Sequence, residues 1–245
     1  MKPYFIKTPL LLKFIFKNWS WRLSSKKKEL YLTFDDGPTP EITEWTLHEL
    51  KKYHAKATFF CIGKNIAERP DIFQKIMEEK HSVGNHTNNH LNGWKTKTDA
   101  YLQNIEDAEK YFEENSKLKN VTQSAVEGQN SKLFRPPYGK LTLSQSKKIR
   151  KKGYKIIMWD VLSADFDPAV SNEKCLENVI RNSQNGSIII FHDSIKASEK
   201  LKFVLPKVLE YYSYLGYEFC PLTPKGKLIS ENKKTNLRSR KSLML

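Results

Sequence analysis

The chain of 245 residues is 39% hydrophobic and 28% charged, a composition typical of a folded globular protein, which excludes a largely disordered one. Its 42 lysine and arginine residues outnumber the 27 aspartate and glutamate residues, so the formal net charge of +15 favours anionic partners. We find no motif that interleaves basic and aromatic residues, so we expect a solvated basic surface, or one that binds an anionic envelope polymer or a membrane surface, and no nucleic acid partner.

Residues 1–28 are predicted to form an N-terminal extension that is both basic and apolar. Lysines interrupt its apolar runs and no small-residue cleavage site follows, so we expect neither a cleavable signal peptide nor a transmembrane helix. Residues 3–21 could instead lie on a membrane as a basic amphipathic segment. The three cysteines are too few and too far apart for a disulfide framework or a Cys-based zinc site. The compartment stays open between the cytoplasm and a peripheral position at the membrane or cell envelope.

From residue 29 onward, strand patterns alternate with helix patterns, which predicts an α/β fold with a largely parallel sheet. The predicted strands cover residues 30–34, 57–62, 133–135, 154–159, 187–191 and 217–219. The predicted helices cover residues 39–50, 70–80, 98–114, 143–152, 173–182 and 200–214. Residues 81–86 are too short and polar for a core strand, residues 115–132 are predicted to be an insertion loop, and residues 223–245 a basic C-terminal tail.

The first predicted strand ends at two adjacent carboxylates, Asp35 and Asp36, and Gly37-Pro38 then turns the chain sharply. Side chains alternate along a strand, so neighbouring acids face opposite sides unless the strand breaks off there. The predicted break allows both carboxylates to face one site. The alternative is a solvated turn whose two acids have no function.

Polar side chains also follow several later segments of the predicted sheet. Examples are His86 after residues 81–85, Asp165 after residues 154–159, and His192 after residues 187–191. The carboxyl ends of parallel strands meet at one edge of the sheet, which is where such folds place their active sites. We therefore expect one site that is built from several chain segments.

His86 and His90 are four residues apart, so a helical segment would place both imidazoles on one face, where they could bind one metal ion. Two histidines at this spacing are also common on ordinary helices. With Asp36 as the third ligand, the set would leave coordination positions open, as in a catalytic metal site. Imidazole and carboxylate donors suit zinc.

Two further groups could transfer protons beside such a metal. Asp35 could take a proton from water, with Arg135 as the counter-charge that keeps it ionised; the alternative is a turn acid that caps the next helix. His192 could protonate a leaving group, provided that a carboxylate such as Asp165 orients it and raises its pKa. A core histidine bonded to the backbone is the alternative for His192.

With these residues together, the chain resembles the polysaccharide deacetylases of carbohydrate esterase family four, over about residues 29–222. Three motifs of that family match in the expected order, at residues 33–38 (Thr-Phe-Asp-Asp-Gly-Pro), 86–90 (His-Thr-Asn-Asn-His) and 135–138 (Arg-Pro-Pro-Tyr). Two further motifs match more loosely. The departures are Phe166 in place of the usual Trp after Asp165, Leu162 in place of a frequent Asp, and Ile190 in place of the Leu two residues before His192.

The resemblance implies a role for each matched residue. The implied metal ligands are Asp36, His86 and His90, with Thr87 supporting their geometry, for a divalent metal such as zinc, cobalt or another transition metal. The implied catalytic residues are Asp35 as base, Arg135 holding the base, His192 as acid, Asp165 orienting that acid, and Tyr138, whose backbone N–H helps to stabilise the oxyanion. The implied substrate-binding residues are Pro136 and Phe166 in the groove wall and Ile190 in the pocket for the acetyl methyl group.

The resemblance also implies an irregular (β/α) barrel with fewer than eight complete units as the single catalytic domain, residues 29–222. The implied activity is a metal-dependent hydrolase that removes N-acetyl groups from the sugars of a peptidoglycan- or chitin-like glycan. The alternatives are an esterase for O-acetylated, xylan-like chains and a deacylase of small amides, since related sequences share the same metal triad. A glycan-binding module without catalysis is a further alternative, against which the intact acids and histidines argue.

Overall fold

The computed structural model of the protein describes residues 4–23, 26–117 and 132–223. Its strands are β1 (Glu29–Asp35), β2 (Thr58–Cys61), β3 (Ser82–Asn85), β4 (Lys132–Phe134), β5 (Tyr154–Ile156), β6 (Val161–Leu162), β7 (Ile188–His192) and β8 (Glu218–Phe219). Its α-helices are α1 (Leu10–Ile15), α2 (Ile42–Lys52), α3 (Gly63–Glu68), α4 (Pro70–Glu78), α5 (Thr98–Lys117), α6 (Leu143–Lys151), α7 (Asn172–Asn182) and α8 (Ser198–Tyr214).

In this part of the chain the strands form one sheet in the order β5-β4-β3-β2-β1-β7-β6, and β8 pairs with the start of β1. All these pairings are parallel. The apolar sequences of β1, β2 and β7 are buried almost throughout, as expected for strands that are covered on both faces. Asp35 is the register partner of His192, so the carboxyl ends of β1 and β7 lie side by side.

This incomplete parallel barrel with surrounding helices confirms the predicted α/β fold. The prediction for residues 81–86 was wrong, because β3 pairs with both β2 and β4 inside the sheet. A polar strand is tolerated there since its buried amide is satisfied: Asn85 Nδ2 donates to Ile105 O, and Asn85 Oδ1 accepts from Thr87 N. The short elements α3 and β6 were not predicted.

Two predicted segments fall largely outside the described residues. Of the predicted insertion loop 115–132, residues 115–117 belong to α5, Lys132 opens β4, and residues 118–131 lie outside the described ranges. The predicted tail 223–245 is described only at Thr223. The division into residues 1–28, 29–222 and 223–245 stays a prediction.

Residues 4–23 of the N-terminal extension lie along both edges of the sheet. At the β5 edge, Ser20 N donates to Ile156 O over 2.8 Å, and Met158 N donates to Ser20 O over 2.7 Å. At the β6 edge, Leu162 N donates to Ile6 O over 2.8 Å. The segment thereby occupies backbone groups that an exposed edge strand would offer to other chains.

A buried carboxylate anchors this segment. Asp160 is fully buried and pairs with Lys7, whose Nζ lies 2.7 Å from Asp160 Oδ2, and with Lys13. Ser187 Oγ donates a third hydrogen bond to Asp160 over 2.6 Å. Burial by itself would raise the pKa of Asp160, but the bonds from Lys13, Lys7 and Ser187 hold this pKa below its ordinary value. Asp160 therefore stays ionised at neutral pH.

We expect Asp160→Ala to lower the free energy of unfolding by roughly 3 kcal/mol, the lower end of the cost of breaking a buried ion pair, because both lysines are partly exposed. Asp99→Ala is the matched control, since Asp99 pairs with Lys148 over 2.9 Å on an exposed surface, and its effect should be much smaller. Urea unfolding measures both differences. Equal effects of the two substitutions would show that the buried pair does not anchor the segment.

The outward face of α1 is apolar. None of its six residues is buried, and Phe5, Leu10, Leu11, Phe14 and Ile15 are each between 57% and 71% exposed. The basic side chains Lys7 and Lys13 turn inward to Asp160. The helix thus exposes its apolar side chains, and the placement of residues 3–21 on a membrane stays a prediction. Among the described residues, no helix is both long enough and apolar enough to cross a bilayer.

Candidate active site

The end of β1 brings two consecutive carboxylates to one histidine. Asp36 has φ 82°, in the left-handed region that non-glycine residues rarely adopt. This reversal of the backbone places Asp35 Oδ2 at 3.9 Å and Asp36 Oδ1 at 3.6 Å from His86 Nε2. The two acids therefore converge as the break after the strand predicted, and the alternative of a solvated turn does not fit Asp35, which is buried.

His86 and His90 approach each other without a helix. Residues 86–92 form a loop, in which Thr87 and His90 have φ values of 64° and 54°, so the helical placement considered from their spacing is wrong. The loop is held because Thr87 O accepts from Gly63 N and Thr87 Oγ1 accepts from Leu91 N. His90 Nε2 lies 3.2 Å from Asp36 Oδ1.

The state of His86 suits a metal ligand. His86 Nδ1 lies 2.7 Å from Arg135 O, a carbonyl that can only accept, so Nδ1 carries the proton and Nε2 keeps its lone pair. Burial lowers the pKa of His86 to about 4, which keeps the ring neutral at neutral pH. His90 Nδ1 shares a hydrogen bond of 3.1 Å with the Tyr138 hydroxyl.

Asp36, His86 and His90 fit a divalent metal. One ligand atom from each residue lies within 4.8 Å of the other two. Asp36 Oδ1 is buried and has no hydrogen-bond partner among the described residues, although it faces both imidazole Nε2 atoms. Burial would raise the pKa of Asp36, but His90, His192 and His86 together lower it, so its carboxylate is ionised. A buried anionic oxygen that faces two imidazole nitrogens has the donor chemistry of a zinc ligand.

Arg135 holds Asp35 through one oxygen only. Its Nη1 lies 2.7 Å from Asp35 Oδ1 and 2.7 Å from Thr33 Oγ1, and the guanidinium is fully buried. Its other nitrogens donate to the backbone oxygens of Ile157 and Met158. Asp35 Oδ2 is thus left to face the metal-binding triad. The alternative of a helix-capping acid is wrong, since α2 has no side-chain cap.

His192 is paired with Asp165. His192 Nδ1 lies 2.8 Å from Asp165 Oδ1, and Asp165 Oδ2 accepts the backbone N–H of His192 over 2.7 Å. Burial by itself would lower the pKa of His192, but the Asp165 carboxylate, with Asp36 and Asp35, raises it to about 9. His192 is therefore protonated at neutral pH, and it is bound by a carboxylate rather than by a backbone group alone.

The other predicted residues lie around this centre. Tyr138 has φ 59° and is 60% exposed, with its ring 4.6 Å from that of His90. Phe166 meets His192 edge-on at 5.1 Å between ring centroids. Pro136 and Ile190 are buried, the latter paired with Leu162 and Thr33 of the neighbouring strands. The substrate-binding roles of Pro136, Phe166 and Ile190 stay predictions.

Asp193 was given no role from the sequence, yet it supports the turn that carries Asp36. Its Oδ1 accepts from Gly37 N over 3.1 Å and its Oδ2 accepts from Thr43 Oγ1 over 2.5 Å. A Cβ on Gly37 would lie 2.1 Å from Asp193 Oδ2, so only glycine fits. Burial raises the pKa of Asp193 to about 7. The sequence signal that could have indicated a role for Asp193 is its position directly after His192.

Comparison with known proteins identifies relatives of the chain. The family model described as polysaccharide deacetylase matches residues 22–157. A peptidoglycan-N-acetylglucosamine deacetylase of Bacillus cereus is 30% identical over 203 residues, which are 82% of this chain and 89% of that protein. A chitooligosaccharide deacetylase of Azorhizobium caulinodans is 30% identical over 178 residues, which are 73% of this chain and 80% of that protein.

Solved structures agree with these relatives. The crystal structure of the Bc1960 peptidoglycan N-acetylglucosamine deacetylase superposes with a TM-score of 0.76 at 31% sequence identity. The similarity covers 88% of this chain and 95% of that one. The likeness therefore extends over most of this chain and nearly all of that one.

Proposed function

Since the chain belongs to the polysaccharide deacetylase family, we propose that it is a metal-dependent hydrolase that removes N-acetyl groups from the sugars of a peptidoglycan- or chitin-like glycan. The relatives named above act on peptidoglycan N-acetylglucosamine and on chitooligosaccharides. The observation that carries the proposal is the buried Oδ1 of Asp36, which lacks a hydrogen bond among the described residues and faces two imidazole Nε2 atoms. A second carboxylate, that of Asp35, lies beside it.

Asp36, His86 and His90 would hold the metal, and zinc is the ion that their donor atoms suit best, with cobalt or another transition metal as substitutes. When bound, such an ion supplies Lewis acidity, which acidifies water and polarises a carbonyl oxygen. Three protein ligands leave room for substrate, as in catalytic rather than structural sites. His86 is fixed in the required tautomer by Arg135 O.

Asp35 acts as the general base. Its Oδ1 is bonded to Arg135, which orients the carboxylate, while its Oδ2 faces the triad and can take a proton from the attacking water. His192 acts as the general acid. Its Nδ1 is bonded to Asp165, so the proton on Nε2 can go to the leaving amine.

Four further residues complete the proposed site. Tyr138 would support the developing oxyanion with its backbone N–H. Its backbone is left-handed, and its ring lies next to that of His90. Ile190 would border the acetyl methyl group, because it stands two residues before His192 on β7. Pro136 and Phe166 would form part of the groove wall, next to Arg135 and His192 respectively.

Acetate release tests the proposal. The protein is stripped with a chelator, reloaded with Zn²⁺ or Co²⁺, and assayed on chitin oligomers, peptidoglycan fragments and acetylxylan. We expect acetate from the N-acetylated glycans only after reloading. Release from acetylxylan alone would indicate an esterase. Glycan binding without acetate release at any metal concentration would indicate a binding module, and either result would overturn the proposal.

We also propose that the basic surface holds the enzyme near an anionic envelope polymer or membrane surface, in keeping with the net charge of +15. Binding to anionic vesicles or polymer should weaken steeply as ionic strength rises from about 0.05 to 0.5 M, because salt screens exposed charges. Turnover of a short neutral oligosaccharide should change little over this range. If turnover fell as steeply as binding, the excess charge would belong to the active site and this proposal would fail.

A further inference from the structure

We propose that Trp94 and Lys140 form a second glycan subsite at the rim of the active site, which binds a carboxylate-bearing sugar near the N-acetylated sugar that reacts. The proposal rests on the proposed function and names its substrate class: an N-acetylated glycan with acidic substituents, as in peptidoglycan, in preference to a neutral one such as chitin. We call the pair the Trp94–Lys140 platform.

The indole of Trp94 is exposed but fixed. Its side chain is 66% exposed, which is unusual for the largest apolar side chain. Its Nε1 donates to Leu141 O over 3.2 Å, and its backbone N–H donates to the side chain of Asn92, which caps the short 3₁₀ helix Gly93–Lys95. The ring is thus oriented by the protein before any ligand arrives, which reduces the entropy lost on binding.

Lys140 lies over the same ring. Its Nζ is 5.3 Å from the centroid of the Trp94 ring, a cation–π contact that places the ammonium group over a face of the exposed indole. An exposed aromatic face with a cation beside it can bind the C–H face of a sugar ring and the carboxylate of a substituent together. Neither group is used in the proposed chemistry.

The platform belongs to the same rim as the metal-binding triad. Trp94 follows His90 by four residues, so the two Cα atoms are at most about 14 Å apart. Lys140 follows Tyr138 by two residues, and the Tyr138 hydroxyl bonds to His90. The two loops are packed together, since a Cβ on Gly93 would lie 2.4 Å from Lys140 O. A separation of up to about 14 Å can accommodate a sugar further along the same chain than the one that reacts.

Binding of defined oligosaccharides tests the platform. The probes are chitotetraose, a peptidoglycan tetrasaccharide with free lactyl carboxylates, and the same tetrasaccharide with its carboxylates converted to amides. Calorimetry with the zinc-loaded Asp35→Asn protein measures each Kd without turnover. We expect Trp94→Ala to weaken all three probes roughly tenfold and Trp94→Phe to restore most of the loss. Lys140→Gln should weaken the free acid alone, by about threefold at low salt.

Matched controls come from α8, which contributes no residue to the proposed site. Tyr214 is 89% exposed, and Lys207 Nζ lies 3.8 Å from the Phe203 ring centroid, so Tyr214→Ala and Lys207→Gln remove an exposed ring and a cation–π partner elsewhere. Neither control should change a Kd. The platform is overturned if Trp94→Ala binds every probe as tightly as its parent, or if a control weakens binding equally. The preference for acidic glycans is overturned if Lys140→Gln affects the acid and the amide alike.

The test of the Trp94–Lys140 platform and the test of the deacetylase activity can fail independently. Wild-type protein that releases no acetate from any glycan contradicts the deacetylase, while the calorimetric differences among variants still decide the platform. Conversely, active enzyme whose Trp94→Ala variant keeps the parental KM for the tetrasaccharides contradicts the platform and leaves the deacetylase standing.

Discussion

Asp36→Ala should purify with little metal, whereas Asp35→Asn should retain near-stoichiometric metal and bind substrate, yet lose turnover by about a hundredfold or more. The two carboxylates are consecutive, and both lie within 4 Å of His86 Nε2. Their surroundings nevertheless differ. Asp36 Oδ1 has no hydrogen bond among the described residues, whereas Asp35 Oδ1 is bonded to Arg135.

The geometry explains why these two substitutions have different effects. Removing one of three protein ligands weakens a metal site strongly, because two imidazoles alone bind a divalent ion poorly. Neutralising Asp35 leaves all three ligands in place. The amide oxygen introduced by Asp35→Asn can still accept from Arg135, so the buried guanidinium keeps all its hydrogen-bond acceptors. The substitution removes the charge of the buried ion pair, so unfolding in urea serves as its stability control.

Metal analysis by mass spectrometry and acetate release under identical loading measure this difference. Asp99→Asn, at an exposed acid outside the site, serves as the control and should keep both metal and turnover. If Asp35→Asn loses the metal while Asp36→Ala retains it, the two roles are exchanged. If both variants keep metal and activity, the paired acids are structural and the proposed mechanism is wrong.

His192→Ala should lose turnover by about a hundredfold to ten thousandfold while it keeps its metal, because the histidine supplies a proton and is not a ligand. Unfolding in urea controls for damage to β7, which ends at His192. Full activity, or loss of the metal together with activity, would contradict the proposed role.

The dependence of kcat/KM on pH tests the same proton. Because the pKa of His192 is raised to about 9, the acid is protonated below that value and activity should fall as pH rises through it. Asp165→Asn removes the carboxylate that raises this pKa, so the alkaline limb should move to lower pH. If the alkaline limb stays in place in Asp165→Asn, that limb reports the titration of a group other than His192.

Much of the fold was predictable because its strands carry local signals. The apolar runs of β1, β2 and β7 and the helical spacing of α5 and α8 are properties of neighbouring residues, and these elements were found within a few positions. β3 and β6 were not, since a polar strand of four residues and a strand of two residues exist only through pairing with distant segments.

The candidate site was predictable in its residues but not in its backbone. The sequence indicated that Asp35, Asp36, His86, His90 and His192 would meet at one edge of the sheet. It did not indicate that His86 and His90 converge through a loop, because that arrangement depends on left-handed backbone at Thr87 and His90. The hydrogen bond from Gly37 N to Asp193 joins residues that are 156 positions apart, and such a contact produces no periodic pattern in the sequence.

The anchoring of residues 4–23 has a consequence for the order in which the chain can fold. Lys7 and its acceptor Asp160 are 153 residues apart, and Lys13 and Asp160 are 147 apart. During synthesis this segment leaves the ribosome before β5, β6 and Asp160 have been made. Until then, the segment has neither the sheet edges nor the Asp160 carboxylate to bind. Closure of the sheet edges is then an event of high contact order that has to follow the synthesis of Asp160. A chaperone that shields residues 4–23 during that interval would protect the nascent chain from association through those same side chains.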